Sequence, residues 1–221
     1  MNGILIYSKT ESERNKFAIE KYQSNLNVDL KIVEDANFEE VALNEKPDFV
    51  INRSNDYRIS KQFEKNNIRV FNNSVVSKFA NDKTLCYDFM NDNNIEIMPI
   101  RFNSFPCVVK PNSSKGGNGV RLVNGEDEII YKDNLVFQKC ATDVGKDLRV
   151  YVIGNEIKFS ALRENKEGFL SNFCLGGKAS EYILSSKEKC LVEKIISLFD
   201  FDFVGIDFLF NNGNLVFNEI E

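Results

Sequence analysis

The sequence contains no histidine. That absence removes His-based catalytic triads, histidine-ligated zinc and imidazole acid–base chemistry. No CxxC pairing occurs either. The five cysteines, Cys86, Cys107, Cys140, Cys174 and Cys190, are odd in number and scattered. They read as reduced thiols of a cytoplasmic protein rather than a disulfide framework. Cys107 and Cys140 sit in apolar runs, where core packing is the usual role. No apolar run approaches the roughly 18 residues of a membrane span. The opening Met1-Asn2-Gly3-Ile4-Leu5-Ile6-Tyr7-Ser8 lacks the basic start and long apolar stretch of a signal peptide, so it reads as a first buried strand. The net charge is −5, and no basic stripe with interleaved aromatics is present, which argues against a nucleic-acid partner. A Walker loop (GxxxxGK followed by Ser or Thr) and the dinucleotide GxGxxG fingerprint are both missing. Repeats and low-complexity linkers are missing too.

What is there is a globular chain. Its 221 residues suit one or two domains with a real core, and 43% hydrophobic with 28% charged residues is ordinary for such proteins. The first 75 residues alternate strands (4–7, 28–33, 49–51, 69–71) with helices (12–23, 57–65), which predicts a small α/β unit with a parallel sheet. In the helix at 12–23, Phe17, Ile19 and Tyr22 are among the apolar positions. Ser74 is placed to cap the helix that follows, and the stretch 79–85 leads into a second helix that ends near Asn94. After Pro99 and Pro106 the pattern turns mostly β, with strands at 135–138, 148–153, 157–162, 203–210 and 215–220 and one helix at 185–199. Gly154-Asn155 and Asn211-Asn212-Gly213-Asn214 are hairpin turns.

Two constellations could carry chemistry. The first is Val108-Val109-Lys110-Pro111 followed by Asn112-Ser113-Ser114-Lys115-Gly116-Gly117-Asn118-Gly119-Val120. A lysine inside an apolar strand must either snorkel or meet an anion. The glycines after it let bare backbone N–H groups approach phosphate oxygens. The competing reading is an edge-strand lysine followed by an ordinary turn. The second is acidic: Asp207 on one arm of the Asn-Gly hairpin, Glu219 and Glu221 on the other. Residues two apart in a strand face the same way, so three carboxylates can gather on one face and repel unless a cation joins them. Magnesium suits such oxygens and bridges carboxylates to phosphates. The competing reading is the solvated face of an antiparallel hairpin.

Taken together and in order, these residues resemble a family. Lys83 in Asn-Asp-Lys, Lys110 before a glycine loop, a Gln-containing strand, Gly145-Lys146-Asp147-Leu148-Arg149 and an acidic terminal hairpin resemble the ATP-grasp ligases, closest to the RimK-type carboxylate–amine ligases. The likeness runs from about Ser74 to Glu221. It implies an ATP-grasp architecture, α+β in its C-terminal part, behind a small parallel α/β domain. The expected division is an N-terminal Rossmann-like domain at 1–75, a subdomain with the glycine-rich lid at 76–134, and a subdomain with the metal-binding hairpin at 135–221.

The resemblance also implies roles. Lys83 and Lys110 match two phosphate-contacting lysines, and Lys110 counts among the catalytic groups. Ser114, Lys115, Gly116, Gly117 and Gly119 match a mobile phosphate-covering loop. Gln138-Lys139-Cys140-Ala141 occupies the adenine hinge, with Lys139 where the family often has Glu. Asp147 falls near the ribose and substrate side. Arg149 is either a plain strand arginine or the basic residue near the acyl substrate. Arg163 and Asn172 match the polar groups of the reaction centre, and Asp207, Glu219 and Glu221 the metal ligands. ATP and Mg²⁺, or Mn²⁺ in its place, are the implied cofactors. A small-molecule carboxylate and an amine (amino acid or peptide) are the implied substrates. No nucleic-acid or membrane partner is expected, and a homo-oligomer stays open.

Three departures stand out. Glu221 replaces the Asn usual as last metal ligand. Leu175 stands where a basic residue often precedes the paired glycines, here Gly176-Gly177. Relatives continue beyond the metal strand, whereas this chain ends at Glu221. The expectation is therefore an ATP-dependent ligase, with a nucleotide-binding module that ligates nothing as its rival and a purely structural α/β protein third.

Overall fold

The computed structural model describes residues 1–221 except 102, 115, 130–133 and 166–177. It divides into two compact units, Met1–Lys78 with Asp200–Asp202, and Phe79–Phe199 with Phe203–Glu221. No described helix is long and apolar enough to cross a membrane.

In the first unit, β1 (Gly3–Tyr7), α1 (Lys9–Arg14), α2 (Lys16–Asn25), β2 (Val28–Ile32), α3 (Phe38–Asn44), β3 (Phe49–Asn52), α4 (Tyr57–Lys65), β4 (Arg69–Phe71) and α5 (Ser74–Ala80) follow one another. The last two residues of α5 belong to the second unit. The strands form a parallel sheet in the order β2-β1-β3-β4. β1 is apolar and buried throughout, as a central parallel strand must be. Its core gathers Ile4, Ile6, Val50, Val70, Phe38 and Phe63.

Two local expectations change here, and one helix was not foreseen. The single helix at 12–23 is two helices that meet at Asn15. Its backbone N–H and its side-chain amide both donate to the Glu11 carbonyl, at 3.0 and 2.8 Å, where α1 ends. Phe17 consequently lies 73% exposed, while Ile19 is buried. Asn73 rather than Ser74 caps α5, its Oδ1 accepting the Val76 N–H at 2.9 Å, while the Ser74 hydroxyl donates to Glu64. Helix α3 had no clear periodic signal.

The second unit begins with α6 (Lys83–Asp92), β5 (Cys107–Pro111), β6 (Arg121–Val123) and β7 (Leu135–Lys139). These strands form an antiparallel three-stranded sheet, β6-β5-β7. One face packs Cys107, Val109 and Val123 with Ile129, Leu135 and Phe137. Next come β8 (Lys146–Ile153), β9 (Glu156–Glu164), β10 (Lys178–Glu181), α7 (Ser186–Ile196), β11 (Phe203–Asn211) and β12 (Asn214–Ile220). They build a five-stranded antiparallel sheet, β10-β9-β8-β11-β12. Both foreseen hairpins carry the positive φ angles of a type I′ turn, +59° and +62° at Gly154 and Asn155, +50° and +74° at Asn212 and Gly213. Ser185 opens α7 with a full capping box to Glu188. The segment after α6 ties the two sheets together: the Glu96 carbonyl accepts the Phe217 N–H at 2.9 Å, and the Pro99 carbonyl accepts the Lys139 N–H at 2.8 Å.

Candidate functional site

Strand alternation divides β5 between a core and a cleft. Cys107 and Val109 enter the apolar cluster, so Val108 and Lys110 face the other way and line the cleft. Lys110 is only 4% exposed. Its Nζ donates to the Tyr87 hydroxyl and, at 3.2 Å, to Asn218 Oδ1. Both acceptors are neutral. Burial pushes the Lys110 ammonium down to about 8, with Glu219 opposing the shift and Lys83 adding to it. Burial also holds the Tyr87 phenol well above its usual range.

Lys83 and Tyr87 stand one turn apart on α6, both buried. The start of that helix is strapped to the loop after β5. The Asn112 carbonyl accepts the Lys83 N–H at 3.1 Å, its side-chain oxygen accepts the Thr84 N–H at 2.8 Å, and its amide donates to Asp82 at 2.9 Å. Lys83 Nζ thereby reaches the Ser114 carbonyl at 2.7 Å and lies 3.5 Å from Glu219. The loop itself bends through left-handed glycines, φ +63° at Gly116 and +76° at Gly117 and Gly119. The Gly116 N–H donates to Glu221 at 3.3 Å. Lys115 lies outside the described residues.

Opposite stands one face of the five-stranded sheet. Asp147 and Arg149 on β8, Arg163 on β9, Asp207 on β11, and Glu219 and Glu221 on the last arm share this face through pairing and two-residue spacing. Arg163 grips Asp147 at 2.6 and 2.7 Å and reaches Asp207 at 2.9 Å. Arg149 grips Asp207 twice at 2.7 Å and also pairs with Glu221. Burial works against both guanidinium charges, yet the hydrogen bonds to Asp207 and Asp147 hold each above its ordinary value. Gly205 lies under Arg149, and a Cβ there would come within 3.1 Å of Arg149 Cδ. Burial raises the Glu219 carboxyl, with Lys83 opposing and Asp207 contributing. Among the described residues, no group of three or more acidic or thiol side chains is gathered tightly enough to hold a metal; these carboxylates are taken by arginine and lysine.

A β-bulge between Asp207 and Phe208 adds Asn218 to the last strand. Asn218 and Glu219, neighbours in sequence, therefore both line the cleft, which encloses about 790 Å³ including its open mouth. Lys83, Lys110, Ser114, Gly117 and Asp147 also line it, as do Gln138, Lys139 and Ala141 from the expected hinge. Gln138 is buried, whereas the Lys139 side chain is exposed and its N–H is spent on Pro99. The Cys140 thiol turns to the Pro106 carbonyl at 3.5 Å. Asn172, Leu175, Gly176 and Gly177 lie outside the described residues. Sequence reasoning missed Asn218 and Tyr87. Two polar residues in succession, Asn218-Glu219, on an otherwise apolar strand were the available sign of the bulge; nothing in the sequence around Tyr87 marks it as a lysine partner.

Comparison with known proteins extends this picture. The chain is 29% identical over 240 residues to an uncharacterized protein of Mycoplasma genitalium, covering 99% of this chain and 83% of the relative. It is 27% identical over 175 residues to a probable alpha-L-glutamate ligase of Shewanella pealeana, covering 68% of this chain and 38% of that protein. Among solved structures, the D-alanine–D-alanine ligase of Bacillus anthracis complexed with ATP superposes with a TM-score of 0.76 at 16% identity, covering 99% of this chain and 84% of that one, a likeness of fold. Residues 78–221, which hold every element of the cleft, match the model of the RimK-like ATP-grasp domain, and to that family the chain belongs.

Proposed function

We propose that the chain is an ATP-dependent ligase that joins a carboxylate to an amine and releases ADP and phosphate. One observation carries this reading. Two buried lysines and a left-handed glycine loop share a single cleft with Asp147, Asn218 and Glu219, and Arg163 and Asp207 stand next to these on the same sheet face. A carboxylate attacking a polyphosphate must overcome charge repulsion, and cations fixed in a shielded site lower that cost. Lys83, Lys110 and the N–H groups of the loop are assigned to the phosphates, and Gln138 to Ala141 with Asp147 to the nucleoside.

The reaction divides into two steps. A carboxylate oxygen bonds to the γ-phosphorus as the bond to the β-bridging oxygen breaks, and ADP leaves. The amine nitrogen then bonds to the acyl carbon, phosphate leaves, and the amine gives up a proton. Arg163, with Asn172 on the strength of the resemblance, is assigned to the oxyanion of the second step. Without histidine, the proton goes to a carboxylate, water or the substrate itself. Asp207, Glu219 and Glu221 would hold Mg²⁺ or Mn²⁺; with the Asn218 amide beside them they present the hard oxygen donors these ions take. The metal supplies charge neutralisation at the phosphates. Holding it requires Asp207 and Glu221 to loosen their bonds to Arg149.

The test is ADP release with Mg-ATP and pooled amino acids and short peptides, beside the thermal shift caused by Mg-ATP alone. Turnover supports the ligase. The carboxylates already engaged by Arg149 favour a second reading, a nucleotide-holding module, which predicts a thermal shift without turnover on any pool.

A further inference from the structure

The site face of the five-stranded sheet continues past the row of charges. One step along the strands, Phe159 on β9, Tyr151 on β8 and Gly205 on β11 lie side by side. Two residues of strand put this row about 7 Å from the row of Ala161, Arg149 and Asp207. Its character is different. Tyr151 and Phe159 are 41% and 44% exposed, and Ile153, two residues on, is 54% exposed. The two rings lie 6.0 Å apart, tilted by 32°, and form a small platform. Gly205 beside them is buried beneath the Arg149 side chain, so the platform borders Arg149 directly. Tyr151 is close enough to Arg149 to act on its charge. A β-bulge falls between Tyr151 and Val152, a device that re-aims side chains near sites. The cleft with Lys110 and Gln138 lies to the other side of the Asp207 row. Large apolar groups are costly to leave in water, and a contiguous exposed set marks a binding surface.

We propose that Tyr151 and Phe159 form the subsite for the side chain of the carboxylate substrate, and that this side chain is apolar or aromatic. The inference rests on the ligase reading for its position. A carboxyl group that must touch the γ-phosphate sits at the Arg149–Asp207 row, and the carbon chain behind it then extends away from the nucleotide, past the Arg149 side chain and onto the platform. Stacking and burial on two rings favour a planar or branched apolar group, because most of the platform surface is hydrocarbon.

The experiment compares wild type with Tyr151→Ala, Phe159→Ala and the conservative Tyr151→Phe. Free and N-acetylated phenylalanine, leucine and glutamate serve as carboxylates, and hydroxylamine as a generic amine that converts an activated acyl group to a hydroxamate. The expected result is turnover with the phenylalanine or leucine compounds. KM for the carboxylate should rise at least tenfold in the alanine variants and less than threefold in Tyr151→Phe, with KM for ATP unchanged. Turnover on the glutamate compounds alone, indifferent to the alanine variants, overturns the subsite and leaves the ligase standing. If no carboxylate is turned over, the ligase reading fails separately. The subsite is then judged by whether N-acetylphenylalanine with a non-hydrolysable Mg-ATP analogue raises the melting temperature of wild type but not of Tyr151→Ala; equal shifts, or none, overturn it. A change of oligomeric state in Tyr151→Ala with unchanged carboxylate KM overturns it too, and marks the platform as a contact between copies of the chain.

Discussion

Lys110 on β5 and Arg149 on β8 are both shielded cations, 4% exposed as a residue and 19% as a side chain, yet their partners differ in kind. The hydrogen bonds of Lys110 go to a phenol and an amide, and burial depresses its pKa. Arg149 is held by Asp207 on two nitrogens and by Glu221 besides, and its charge is reinforced. The first arrangement leaves a buried charge short of compensation, so an incoming anion gains the whole interaction. The second is already compensated, and engaging a new ligand means exchanging an old one. The three-stranded side of the cleft is thus primed for anions, whereas the five-stranded side is a set of paired charges that can be traded.

The sharpest way to break this contrast is Lys110→Met. The fold should survive, since the change removes an under-compensated charge, while ADP release falls by roughly a thousandfold, the scale of losing a key charge-stabilising donor. Unchanged turnover would sink the assignment. Asp207→Asn attacks the other side. It strips one carboxylate from two arginines and should cost about 3 kcal/mol in urea denaturation, as expected for breaking a buried pair. A loss near zero would mean that the row behaves as solvated surface.

A third prediction, of similar size at most, concerns pH. Folded Lys110 titrates at about 8 against an ordinary 10.5. Between those values the unfolded chain binds more protons, so without nucleotide the stability contributed by this group rises with pH across that window and is flat below it. At about 1.4 kcal/mol per pH unit the gain approaches 3 kcal/mol. It should appear in the wild-type minus Lys110→Met difference between pH 7.5 and 10.5, and a difference that stays level or falls would contradict it. The smallest effect is expected from Gly205→Ala. The added methyl crowds Arg149 at 3.1–3.2 Å and should cost about 1 kcal/mol. The same variant should weaken the hold on Glu221, visible as an altered Mg²⁺ dependence of the thermal shift.

Much of this was legible in the chain. The alternation of the first 75 residues announced the parallel sheet, and the two Asn- and Gly-bearing turns announced their hairpins, because those signals are local and each turn type demands its own residues. Lys110 and the glycines stood out for the same reason. Other features could not be read. Asn15 closes one helix and opens the next, with its backbone N–H and side-chain amide both on the Glu11 carbonyl, a local choice that apolar periodicity does not report. Asn112, read only as part of a loop, turns out to anchor the start of α6, because its partners lie about 30 residues away. The Asp207 bulge adds Asn218 to the cleft, a shift of register set by the pairing of two strands rather than by either one.

By itself, the sequence determined the chemistry that is excluded, through the lack of histidine, and the inventory of charges from which a site could be made. Tertiary structure alone decided how those charges are spent: Lys110 on neutral oxygens, Arg149 and Arg163 on Asp207, Lys83 against Glu219, and two aromatic rings set beside them on the same face. Residue types and short-range spacing are written along the chain. Burial, register and cross-strand pairing join residues more than a hundred positions apart, and the energy of a charge depends on those surroundings far more than on its neighbours in sequence.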